Sequence, residues 1–283
     1  MTPSLLRRYG LGLFTVVLFL TVAVGPAGAQ DYEVPTVTDT YALENARVVQ
    51  APGQVLESAT VVVRDGLIEA VGPNAEVPFD ARRIEADSLV VYAGFIDGLS
   101  HAGVEMPEED ENGENGSDDV DPGDPPPDQA GIQPDRDVRS FLSPADSDLG
   151  SLRKAGFTAG HVVPEGQMLP GSGAYIFYGG ETANDMVLEP TPTLFGQIKT
   201  ADGFLYPVTE MAVIAQMRQL FREAARRQEL SAAYEQTPRG RKQPPSDPTH
   251  SALFPVIDGD ISMAFYADYA LTLQRVLGLK EEL

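Results

Sequence analysis

Hydrophobic and polar positions change their period along this chain. From Tyr41 to Tyr92 apolar residues alternate with polar ones or run continuously, interrupted by turn residues, which is the pattern of strands. Ala42–Val49 and Ala59–Val63 are predicted strands and Leu67–Val71 a return strand. Asp65-Gly66 joins the last two as a two-residue hairpin, because both residues tolerate the positive φ of a type I′ turn. Arg82–Ala86 and Leu89–Tyr92 add two short strands, so this region reads as a small antiparallel β domain. From Ile132 onward strand and helix signals alternate. Leu149–Ala155 is a predicted helix stopped by Gly156, and Tyr269–Leu277 a closing one. Phe157–Val163, Ala174–Tyr178, Met186–Leu188, Leu194–Ile198, Leu253–Ile257 and Ile261–Phe265 are predicted strands. The strongest helix starts at Thr209 as N-cap and gathers Val213, Met217, Leu220, Phe221 and Ala224 on one face, with Arg218, Arg222, Arg226 and Arg227 toward water. This alternation argues for an α/β fold of parallel βα units.

Composition then separates three segments. Residues 1–29 read as a signal peptide: Arg7 and Arg8 precede a 14-residue apolar run from Leu11 to Val24, and Pro26 precedes an Ala27-Gly28-Ala29 cleavage site. The run falls short of the ~20 residues that span a bilayer. The expectation is therefore an exported protein, periplasmic or secreted, with no stable membrane anchor after cleavage. Residues 30–92 form the N-terminal β-sandwich-like domain of this reading, and residues 93–283 the larger one. Within the latter, Glu105–Asp128 holds 11 acids, five Pro and three Gly without one Lys or Arg, and is expected to be a disordered insertion, with calcium binding as the alternative.

Charge and composition exclude several functions. The net charge of −22 excludes nucleic acid as a partner, since phosphate binding draws on clustered cations. Zero Cys excludes disulfides, thiol nucleophiles and Cys-ligated metals. No P-loop, Gly-x-Ser-x-Gly elbow or His-Glu-x-x-His motif is present, and no cofactor-binding residues are assigned. Oligomerisation is left open.

Several short motifs occur in a telling order. Asn45-Ala46-Arg47-Val48-Val49 is followed by the hairpin Val61 to Gly72, then by Tyr92-Ala93-Gly94-Phe95-Ile96-Asp97 running into Gly98-Leu99-Ser100-His101. Leu152 to Ala159 and Gly171-Ser172-Gly173-Ala174 come next. In these motifs the chain resembles the amidohydrolase superfamily, and most closely its imidazolonepropionase-like branch. The resemblance implies a TIM (β/α)8-type barrel preceded by a small β domain, and a hydrolase acting on carbon–nitrogen (non-peptide) bonds of an unidentified small-molecule substrate. It also implies a divalent metal, zinc, in an active form.

The family's first barrel strand ends in His-x-His, two imidazoles that reach one metal. Here Leu99 stands at the first position and His101 at the second, so His101 is the single metal-ligand candidate. Ile261 to Asp268, where the resemblance implies a further His, has none, and the other imidazoles are His161 and His250. From Ala93 to Leu283 there are 191 residues, against ~250 in a typical TIM barrel, so the expectation is a partial barrel of four or five units, a fragment of a longer protein. The alternative reading is a non-catalytic amidohydrolase-like scaffold or binding module that has lost its metal site.

Overall fold

Asp65 and Gly66 take φ values of 49° and 77°, and the flanking residues Arg64 and Leu67 pair directly. Both turn residues thus occupy the left-handed region that a two-residue hairpin requires. In the computed structural model, which describes residues 39–107 and 120–282, this hairpin joins β2 (Gln54–Arg64) to β3 (Leu67–Gly72). The signal-peptide reading of residues 1–29 and half of the acidic insertion, residues 108–119, lie outside the described residues.

The chain divides after Ala93 into two units. In the first, β1 (Thr40–Ala51) pairs antiparallel with β2. The short strands β4 (Arg82–Glu85) and β5 (Val90–Tyr92) lie end to end along the other edge of β1. Both run parallel to β1, so the sheet is mixed where an antiparallel one was expected. The chain between β3 and β4 crosses the sheet and does not double back, which fixes this direction. Ala46, Val48, Ala59, Val61 and Ala86 form the small core, with Leu43, Leu56 and Val91 packed on it.

The second unit is a mixed α/β body built on a curled five-stranded sheet in chain order: β6 (Phe95–Ser100), β7 (Phe157–Val162), β8 (Gly171–Phe177), β9 (Val187–Gln197) and β10 (Ser262–Tyr266). Strands β6 and β7 are parallel, as are β9 and β10, but β8 runs antiparallel to both of its neighbours. This corrects the expectation of uniformly parallel βα units. Only residues 163–170 separate β7 from β8, and a parallel return needs a crossover of roughly a dozen residues or more. The sheet is thus a curled half-barrel in which one strand, β8, is reversed.

Two further expectations change. Met186–Leu188 and Leu194–Ile198 belong to one strand, β9, which continues through Pro190 and Pro192. Leu253–Ile257 is a helical turn, Phe254–Ile257, in which Asp258 N donates to Phe254 O at 2.9 Å. A short apolar run does not distinguish strand from buried helix, and Pro255 removes a donor that a central strand would need.

Helix α1 (Ser147–Ala155) starts on Asp146, whose side chain accepts from Asp148 N, and ends at Gly156 with φ 97°. Its Leu149 packs with Val162, Ala174, Ile176 and Tyr178 on one face of the sheet. Helix α2 (Glu210–Gln236) starts on Thr209, whose hydroxyl accepts from Ala212 N at 3.2 Å. The predicted stripe Val213, Met217, Leu220, Phe221 and Ala224 is buried, joined by Leu194 of β9 and by Leu279 of α3 (Ala270–Glu282).

Residues 120–128, within the stretch expected to be disordered, form hydrogen-bonded turns. Gly123 N donates to Asp121 Oδ1 at 2.8 Å, Tyr206 N to Pro122 O at 2.8 Å and Ile132 N to Pro127 O at 2.7 Å. Ala130 and Ile132, both buried in the α2 core, hold this end of the stretch down. Among the described residues no helix is long and apolar enough to cross a membrane.

Candidate functional site

The register of β6 slips by one residue between Asp97, opposite Gly160, and Ser100, opposite Val162. This bulge puts Asp97 and Ser100 on the same face, the one covered by α1 and its core. There the buried Tyr178 hydroxyl lies 3.3 Å from Asp97 Oδ2 and also bonds the Ser100 side chain. Burial pushes the Tyr178 phenol up to about 12, with the Asp97 charge acting in the same direction and the Ser100 bond opposing it.

His101 follows β6 directly and is exposed at the C-terminal end of the strand. Its Nδ1 lies 2.9 Å from the Val163 carbonyl, just past β7, and its ring meets Phe195 of β9 edge-on at 6.2 Å. A carbonyl only accepts, so Nδ1 carries the proton and the neutral ring keeps its lone pair on Nε2. That is the arrangement in which a metal-ligating imidazole is usually held. Leu99 offers no donor atom, however, and among the described residues no group of three or more His, Asp or Glu could hold a metal ion. The described residues therefore supply one suitable imidazole and do not make up a metal site.

The other two histidines are elsewhere. His161, on β7, is 5% exposed. Its Nε2 is 2.8 Å from the Thr193 hydroxyl on β9, and its ring is 5.0 Å from that of Tyr175. Burial holds its pKa below the ordinary value, against the opposing effect of a bond to the Gly98 backbone. The imidazole reaches across β8 because Gly173 has no side chain: a Cβ there would lie 2.6 Å from Nε2. His161 and Val163 share a strand face, as do Thr193 and Phe195, so His101 and the His161–Thr193 pair border the same side of the sheet.

His250 lies in a separate cluster. Its Nδ1 is 2.8 Å from Asp247 Oδ2 and its Nε2 is 3.3 Å from Glu223 Oε2, while Arg227 pairs with Asp247 at 3.3 Å. Burial would raise the Asp247 pKa, but the His250 bonds and the Arg227 charge hold it below the usual carboxylate value.

Beyond the C-terminal ends of β6, β7 and β9, their loops form an open cleft of about 370 Å³ lined by Arg136, Glu165, Gln167, Lys199 and Asp202. Lys199 Nζ donates to Gly166 O at 3.0 Å. Loops at this end of parallel strands are where barrel enzymes place their substrates. Sequence reasoning did not single out Thr193, Tyr178, Arg136 or Lys199. The one signal for Thr193 was Gly171-Ser172-Gly173, which reads as a turn but lies inside β8, where glycine marks a close approach.

No protein-family model matches the chain. Over 57 residues, 20% of this chain and 14% of the relative, it is 39% identical to an imidazolonepropionase of Salinispora tropica. Over 57 residues it is 40% identical to an imidazolonepropionase of Salinispora arenicola, again 20% of this chain and 14% of the relative. The chain thus matches only about a seventh of the length of these curated relatives. Among solved structures it is similar to an amidohydrolase from Thermotoga maritima MSB8, with a TM-score of 0.65 and 20% identity, over 86% of this chain and 62% of the other. At that identity the likeness speaks for the fold alone.

Proposed function

We propose, for a chain that sequence and fold relate to the imidazolonepropionase-like amidohydrolases, the activity of a hydrolase acting on non-peptide carbon–nitrogen bonds of a small molecule. The observation that carries this reading is the agreement of two independent comparisons, a local sequence match and a fold match over most of the chain, on the same superfamily.

Members of that superfamily typically use a divalent metal. In this reading His101 is the residue that contacts a zinc ion, and its ring is already oriented for that role by the Val163 carbonyl. The described residues do not complete a ligand set for such an ion. In this reading the open cleft of about 370 Å³ past the C-terminal ends of β6, β7 and β9 takes the substrate, and its mixed cationic and anionic lining suits a small polar molecule. Export belongs to the same proposal, supported by the basic, apolar and small-residue succession in residues 1–29.

The test is elemental analysis of the full chain purified without chelator, together with ammonia or amine release from a panel of cyclic and linear amides. The expected result is amide hydrolysis that is lost in His101→Ala, together with whatever zinc the chain retains. A folded protein with neither bound metal nor hydrolysis overturns the reading and leaves the binding-module alternative.

A further inference from the structure

The side of the sheet that carries His101 holds a second reactive arrangement, which makes no use of a metal. Thr193 Oγ1 lies 2.8 Å from His161 Nε2. The imidazole also bonds the Gly98 backbone, and of the groups there only the carbonyl can accept from a ring N–H. With the proton on that side, Nε2 has a lone pair and accepts from the Thr193 hydroxyl. This is the relation of a nucleophile to its base, with the base oriented by a third group. Three strands are arranged to permit it: β7 supplies His161, β9 supplies Thr193, and β8 between them carries Gly173, where any side chain would collide with the imidazole.

The backbone next to the hydroxyl is under strain as well. Thr191, two residues before Thr193 on β9, has φ 51°. A β-branched side chain in the left-handed region is a genuine outlier and persists only where the surroundings impose it. Thr193 itself is partly exposed, while His161 is enclosed and its burial favours the neutral ring. The walls near the pair, Tyr175 beside His161 and Phe195 two residues along β9 from Thr193, are aromatic.

We propose that Thr193 and His161 form a nucleophile–base pair that accepts the acyl group of an activated carboxylic ester. Thr193 Oγ1 attacks the carbonyl carbon and its proton passes to His161 Nε2. The tetrahedral adduct collapses with cleavage of the bond to the ester oxygen, which takes the proton from Nε2 and departs as the alcohol. The acyl group remains on Oγ1. Water then attacks the acyl carbon and gives its proton to Nε2. The C–Oγ1 bond breaks, Oγ1 recovers the proton, and a carboxylic acid is released. The net change is ester plus water to acid plus alcohol, with no redox partner and no metal.

The experiment uses the full chain with p-nitrophenyl acetate, following nitrophenol release and, after rapid acid quenching, locating acetyl groups by peptide mass mapping. The expected result is acetyl on Thr193 and nitrophenol release that chelator leaves unchanged. Thr193→Val should abolish both in a protein that still unfolds cooperatively, Thr193→Ser should retain them, and His161→Gln should slow acetylation by about a hundredfold. Should Thr193→Val fail to fold, the acetyl position in the wild type and the rate in His161→Gln decide the matter. A folded wild type with no acetyl on Thr193, acetyl on His161 instead, or an unslowed His161→Gln overturns the proposal. Release abolished by chelator assigns the turnover to the metal-dependent reading.

Discussion

The Tyr178 hydroxyl lies 3.3 Å from Asp97 Oδ2, joining the end of β8 to β6 across the intervening β7. The reach is open because β7 has Gly160 opposite Asp97, and a Cβ at Gly160 would fall on the Tyr178 hydroxyl. Gly160→Ala should therefore displace the tyrosine and destabilise the second unit by about 1–3 kcal/mol, the usual cost of overpacking a core. Tyr178→Phe, which keeps the ring and loses only the hydrogen bonds, should cost roughly 1 kcal/mol. Urea unfolding midpoints of the two variants provide the comparison, and a Gly160→Ala milder than Tyr178→Phe would contradict this packing.

Alkaline stability should depend on the same phenol. Its folded pKa of about 12 lies above the ordinary 10.0, so the neutral form is the one the fold favours. The contribution is then complete below pH 10 and is lost as pH rises from 10 toward 12. Relative to wild type, Tyr178→Phe should show a flatter stability profile across that window, measured by unfolding at fixed urea.

At the acid end the sensitive group is His161. Its pKa is depressed by burial from the ordinary 6.5, so its stabilising contribution is present above that value and is lost as pH falls through the lower, folded one. Protonation would also put a second donor against the Thr193 hydroxyl and end its role as acceptor. Unfolding midpoints that decline on moving from pH 7 to pH 5 in wild type, but less in His161→Gln, are the expected outcome.

How much of this was legible from residues alone differs by element. The Asp65-Gly66 hairpin and the α2 stripe were read correctly because each rests on local rules: two positive φ angles in one case, a period of 3.6 in the other. Strand direction was not legible, because Gly171–Phe177 has the same apolar pattern whichever way it runs, and only the short connection before it decides. Val187–Gln197 was read as two short strands, Met186–Leu188 and Leu194–Ile198, while tertiary pairing carries one strand through Pro190 and Pro192. His101 was visible through motif order. The His161–Thr193 contact was not, since it joins residues 32 apart across a third strand and depends on a glycine that the sequence presents as a turn.

Thr209 provides a test of how far α2 depends on its cap. Its side chain accepts from Ala212 N, satisfying one of the free amides of the first turn. Thr209→Ala should cost about 1 kcal/mol and raise amide exchange over the first turn of α2, while Thr209→Ser should restore most of the loss. Exchange unchanged in the alanine variant would show that the cap does little for the helix.

In the first unit Gly66 holds φ 77° with open space around the position a Cβ would take. Any penalty of Gly66→Ala is therefore conformational and not steric contact with neighbours. It should destabilise that unit by roughly 1–2 kcal/mol, seen as earlier exchange of the β2 and β3 amides with those of β7 and β8 unaffected.

The strand order of the second unit has a consequence for how the protein is made. Since β6 through β10 lie side by side in the order in which they are synthesised, each strand leaving the ribosome finds its neighbour already present. None has to insert between two strands that have paired before it. The sheet can grow outward from β6 in one direction, and the growing margin is always the newest strand. The longest wait falls between β9 and β10, the interval that contains α2, so α2 has time to cover Leu194 before the last strand arrives.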